Sequence, residues 1–87
     1  MTTQELKLFS KAIDHPIRSK IIDILHTAPG MSVTELFIAL RLEQSVVSQH
    51  LAILRQADVA SSDRTGRNIT YALTPKYYEI TQKIAAL

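Results

Sequence analysis

SVTELFIALRLEQSVVSQHLAILRQA, residues 32–57, decides how this chain is read. It divides at Arg41-Leu42-Glu43 into two short helical segments. Ser32 and Glu35 stand at capping-box spacing, and Val33, Leu36, Phe37 and Leu40 share one face of the first segment. In the second, Val47, Leu51 and Leu54 recur at i, i+4 and i+7. With about 100° per residue, Ser45, Ser48, Gln49 and Ala52 then point away from that apolar stripe. Gln44 opens the same segment. Small polar side chains of this kind can hydrogen-bond to base edges in the major groove of DNA, and a small Ala52 lets the helix approach closely. The plainer reading is a solvated helix face. Val46, at the edge of the helix, reads as packing, and His50, beside the apolar stripe, as a packed or phosphate-bonding histidine.

Working outward, a helix is expected from Thr2 or Thr3, where Thr2 and Glu5 have capping-box spacing and Leu6, Phe9 and Ile13 recur at helical intervals. Asp14-His15-Pro16 breaks it, and Pro16 suits the first turn of the next helix. There Ile17, Ile21, Ile24 and Leu25 form an apolar stripe, with Arg18, Lys20 and Asp23 assigned to solvent, and Ala28-Pro29-Gly30 ends the helix. Beyond Asp58 the period changes to two. Val59–Ser62 and Asn68–Leu73 read as strands around an Asp63–Arg67 loop. Thr74-Pro75 caps a last helix, lined on one side by Tyr77, Ile80, Ile84 and Leu87, a stripe that alone would read as core and in so short a chain reads as a dimer seam. The fold class is mostly α with a small β-hairpin, a winged helix-turn-helix. One domain of 87 residues is expected, with the helix-turn-helix at about 32–57 and the wing at about 58–74.

Composition bounds the function. A formal net charge of +2 is too small to argue for nucleic acid by itself, so distribution matters more. Between Gln44 and Ala57 there is no carboxylate, and Arg55 is the only full charge. Arg64 and Arg67 bracket Gly66, whereas Glu5, Asp14, Asp23, Glu35 and Glu43 gather earlier. A hairpin tip with two arginines suits a DNA backbone or minor groove. The chain has no cysteine, which excludes disulfides, thiolate metal sites and thiol redox sensing. No nucleophile–base set, phosphate-cradling Gly-rich loop or carboxylate pair is present, so an enzyme is not expected, and neither is a cofactor. Asp23 and His26 stand i, i+3 on one helix, a spacing common by chance, and Glu79 is the single plausible ligand on the last helix, so no metal site is expected. With no signal-peptide core and no apolar run long enough to span a bilayer, the expectation is a soluble, cytoplasmic protein.

Three segments, HPIRSKIIDIL (15–25), LRLEQSVVSQHLAILRQADV (40–59) and GRNITYALT (66–74), make the chain resemble the ArsR/SmtB-type winged-helix repressors of bacteria. The resemblance implies double-stranded DNA as partner and a homodimer that binds an inverted-repeat operator. It implies pairing through the first and last helices, about 3–13 and 75–87, with Leu6, Phe9, Tyr77, Ile80, Ile84 and Leu87 at the seam. Carried over by position, Gln44, Ser45, Ser48, Gln49 and His50 match the recognition motif, and Arg64, Gly66 and Arg67 match the wing. Many such proteins sense metals through cysteines, which this chain lacks. What releases it is left open by the sequence: a partner protein, a small effector ligand between the dimer helices, or only its own concentration. Two glycines of the pattern are replaced, by Arg41 and Asp58. Aspartate tolerates a left-handed conformation better than arginine, so Arg41 is read as a turn residue without that requirement. The rival reading is a winged helix that binds a protein and little or no DNA.

Overall fold

The computed structural model describes residues 2–86, so the expectation placed on Leu87 lies outside the described residues. Its elements run α1 (Thr3–Ile13), α2 (Pro16–Thr27), β1 (Met31–Ser32), α3 (Val33–Leu40), α4 (Gln44–Gln56), β2 (Ala60–Thr65), β3 (Asn68–Leu73) and α5 (Pro75–Ala85). This is the winged helix-turn-helix order, with one more strand than the sequence suggested.

Local chemistry starts each of the first three helices. The Thr2 hydroxyl accepts from the Glu5 N–H at 3.1 Å. Pro16 opens α2, and the His15 ring caps it, Nδ1 accepting from the Ile17 N–H at 3.1 Å. At α3 both halves of the capping box form, each at 3.1 Å between Ser32 and Glu35. Thr74 does two jobs before α5: its hydroxyl accepts from the Tyr77 N–H at 3.0 Å and donates to the Asp58 carbonyl at 2.6 Å. Caps of this sort contribute about 0.5–2 kcal/mol each.

The helix ends correct one expectation. Arg41 is left-handed, with φ 56°. The Leu42 N–H reaches back to the Phe37 carbonyl at 3.1 Å and the Arg41 N–H to that of Ile38 at 3.2 Å, the two bonds of a Schellman closure. Packing Leu42 against the core so soon after α3 requires the chain to reverse at Arg41, whatever its side chain. Asp58, at φ 59°, closes α4 in the same way, Val59 bonding back to Leu54 at 2.9 Å with both side chains fully buried.

The sheet has the order β1-β3-β2, all antiparallel. Met31 and Ser32 pair with Tyr71 and Thr70, a strand too short to show periodicity in the sequence. β2 runs through Asp63, Arg64 and Thr65, which had read as loop; Thr65 faces Asn68, so the turn is Gly66-Arg67 alone. The misreading has a physical cause: β2 is an edge strand exposed along almost its whole length, so it shows no apolar alternation.

The core gathers Ile21, Leu25, Leu36, Val47, Leu51, Leu54 and Val59 from α2, α3, α4 and the entry to β2. Phe9, Tyr77 and Ile80, assigned above to a dimer seam, are buried in this same core, with the Phe9 and Tyr77 rings 6.1 Å apart. A single protomer already covers them. Arg18 is a second correction. It is 7% exposed, not solvated, because 18, 21, 22 and 25 fall on one helical face and Ile22 joins Ile21 and Leu25 in burial.

Candidate nucleic-acid interface

α4 is held by Val47, Leu51 and Leu54, all at most 1% exposed. Burying three aliphatic side chains contributes roughly 5–9 kcal/mol, at about 1.5–3 kcal/mol each. Orientation is thereby fixed from one side, and the opposite side carries no packing duty. On that side Gln44, Ser45, Ser48, Gln49 and Ala52 are all exposed. Val46 is partly covered, in line with a packing role.

His50 stands apart from that group, on the half-buried flank. Its ring lies 4.6 Å from that of His15, and its Nδ1 is 3.1 Å from Arg18 Nη1. A guanidinium only donates, so Nδ1 must accept and the ring proton sits on Nε2. Burial first, then His15 and Arg18, holds His50 below the ordinary histidine value and keeps it neutral near pH 7. One N–H therefore remains free for an outside acceptor. The same Arg18 donates from Nε to the Ala12 carbonyl at 2.6 Å and from Nη2 to the Lys11 carbonyl at 3.2 Å. A cation at the C-terminus of α1 is electrostatically well placed. Arg18 thus ties the end of α1 to the flank of α4, a role that assigning it to solvent concealed; its i, i+3, i+4 spacing to Ile21 and Ile22 was the available signal.

The wing projects beside this helix. Arg64, Gly66 and Arg67 are all exposed at its tip, and Arg64 Nε donates to the Gly66 carbonyl at 3.3 Å. Gly66 has φ 63° with nothing within 4 Å of a Cβ placed there, so the turn demands the dihedral and not the space. Asp63 on β2 is the carboxylate closest in sequence to this tip. Between the wing and α4 lies a cleft of about 470 Å³ lined by Ala52, Arg55, Gln56, Ala60, Ser61 and Ser62. The sequence had given Arg55, Ser61 and Ser62 no role. Arg55 continues the exposed series Ser48, Ala52 at the next helical step, which was the missed signal.

On the far side, α1 and α5 enclose a groove of about 540 Å³ with Leu6, Ile80 and Ile84 along it and Glu5, Lys76, Glu79 and Lys83 at its edges. Leu6 is 46% and Ile84 52% exposed. Lys76 pairs with Glu5 at 3.1 Å and, more than any other group, holds that carboxyl below the usual range. His26 is engaged by Tyr77, Nε2 to hydroxyl at 3.2 Å, and its ring meets Tyr77 and Tyr78 edge-on. Burial, then Asp23, pushes the Tyr77 phenol upward. Among the described residues no three His, Asp or Glu side chains are grouped to hold a metal ion, and no helix is long and apolar enough to cross a membrane.

Comparison with known proteins agrees with this architecture. The family model described as bacterial regulatory protein, arsR family, matches residues 15–62, from the cap of α2 into the wing. Over 63 residues, 72% of the chain, the sequence is 38% identical to the transcriptional repressor PagR of Bacillus anthracis and 40% identical to the HTH-type transcriptional regulator NmtR of Mycobacterium tuberculosis. The matched stretch spans 63% of PagR and 52% of NmtR. The crystal structure of PagR superposes with a TM-score of 0.79 at 33% identity, covering 93% of each chain. HlyU from Vibrio cholerae superposes at 0.80 with 26% identity, covering 97% of this chain and 94% of its own. The named relatives are regulators and not enzymes. With the helix-turn-helix, the wing and the matched stretch all in register, the chain belongs to the arsR family of bacterial regulatory proteins.

Proposed function

We propose that this chain is a sequence-specific DNA-binding transcription regulator, a homodimeric repressor that binds an inverted-repeat operator. The observation that carries the reading is the free outer face of α4. Its Gln44, Ser45, Ser48 and Gln49 are exposed, uncharged and free of any carboxylate on the same helix, beside a wing tip with two exposed arginines. In this reading α4 enters the major groove, where glutamine and serine read base edges, and Arg64 and Arg67 contact the flanking backbone or minor groove. His50 contributes its free Nε2–H to a phosphate and carries no sequence information. Repression is the activity printed for PagR, and blocking a promoter is the simplest consequence of occupying it.

Pairing is supported by Leu6 and Ile84, large apolar side chains left half exposed on the adjacent helices α1 and α5. Phe9, Tyr77 and Ile80 shape that surface from beneath. Two copies joined there would present two α4 helices about one DNA turn, roughly 34 Å, apart.

Selection of bound duplexes from a random pool tests the reading directly. A recovered palindrome supports both readout and symmetry. Against that duplex, Gln49→Ala should bind with relaxed sequence preference. Arg67→Ala should bind every sequence more weakly, with the slope of log affinity against log salt reduced by about one. Recovery of no sequence at low salt from a folded dimer would replace this reading with that of a protein-interaction module.

A further inference from the structure

The cleft between α4 and β2 has a position that the proposed docking gives a meaning. If α4 lies in the major groove and the Gly66-Arg67 tip in the adjacent minor groove, one sugar-phosphate strand separates the two grooves and must pass between helix and wing. We infer that the α4–β2 cleft is a seat for one phosphodiester of that strand, with Arg55 as its cation and Ser61 and Ser62 as its hydroxyl donors. This rests on the DNA-binding reading above and assigns a contact which that reading does not contain.

Three features support the seat. Arg55 is exposed, is the single charged side chain of α4, and among the described residues forms no ion pair or side-chain hydrogen bond. Its guanidinium is therefore available for a bidentate phosphate contact, the geometry that a planar fork suits. Ser61 and Ser62 are both exposed at the start of β2 and both border the cleft, one on each face of the strand. Ala52 and Ala60 keep the lining low, and Ala60 is itself buried, so the depth is set by the fold and not by a movable side chain. Asp63 shares the face of Ser61 two residues on and lies outside the cleft lining. Its carboxylate disfavours a phosphate directly beside it on that face, which leaves the α4 end of the cleft as the seat.

The experiment uses the full chain and a duplex recovered by selection. Arg55→Ala should lower affinity about ten- to thirty-fold at low salt, equally on the selected and on a scrambled duplex, and should reduce the salt slope by about one. Arg55→Lys should restore the slope while regaining only part of the affinity. In parallel, neutral methylphosphonates are placed singly along the duplex. One position should weaken wild type by a similar factor and leave the Arg55→Ala protein indifferent, and Ser61→Ala with Ser62→Ala should soften the same position. Binding of Arg55→Ala within two-fold of wild type, or a loss with unchanged slope, overturns the seat while the DNA reading stands. If no duplex binds the wild type, both fail together. Should Arg55→Ala misfold, the methylphosphonate scan on wild type decides: no weakening at any phosphate between the two grooves overturns the assignment.

Discussion

Replacing Arg18 by methionine should cost more stability than any other single change on α2 short of emptying the core. The side chain is 7% exposed, and its guanidinium serves three acceptors: the Ala12 carbonyl at 2.6 Å, the Lys11 carbonyl at 3.2 Å and His50 Nδ1 at 3.1 Å. Methionine keeps the apolar stem and deletes all three donors. A hydrogen bond with a charged partner contributes about 1.5–3 kcal/mol, but removing the arginine also relieves its desolvation, and the α1 carbonyls can turn partly to water. The net loss is therefore about 2–4 kcal/mol, far below the sum of the bonds. In a domain of this size each kcal/mol moves Tm by about 4–8 °C, so a fall of about 8–32 °C is expected in a thermal melt followed by circular dichroism. Arg18→Lys should recover little, since one ammonium cannot span three acceptors set in a fork. A double-mutant cycle with His50→Ala isolates the link to α4, and a coupling of about 1 kcal/mol is expected. A methionine variant as stable as wild type would refute the argument, because replacement of a buried charge by a hydrophobe is neutral only when its partners do not depend on it.

Arg41→Gly should raise stability by about 0.5–1 kcal/mol, seen as a higher melting midpoint; relief of left-handed strain is offset in part by the looser unfolded chain. Acidification should destabilise the fold through His50. Its folded pKa lies below the ordinary value near 6.5, so this contribution is complete above about pH 6.5 and is lost as pH falls further, and His50→Gln should flatten that part of a denaturation-versus-pH curve. Leu6→Asp with Ile84→Asp should yield a folded monomer by light scattering and weaken binding to a palindromic duplex; a persistent dimer would move the proposed seam elsewhere.

The elements legible from sequence were those in which one periodicity and one capping residue agree. Ser32 with Glu35, and Val47 with Leu51 and Leu54, fixed the helix-turn-helix because side-chain caps and an apolar stripe are local facts about neighbouring residues. The misreadings share a different cause, for each depends on what another part of the chain does. β1 exists because β3 pairs with Met31 and Ser32. β2 is a strand despite its polarity because β3 supplies one full edge of hydrogen bonds, which need no apolar alternation. Arg18 is buried because the end of α1 presents the Lys11 and Ala12 carbonyls to its guanidinium. Arg41 adopts a left-handed backbone because packing Leu42 against the core outweighs about 1–2 kcal/mol of strain. The outer face of α4 stood out in the sequence for the opposite reason: Ser45, Ser48 and Gln49 are exposed, with no core packing to dictate them among the described residues. That is the condition under which polar residues on a firmly anchored helix are free to be chosen for an external one.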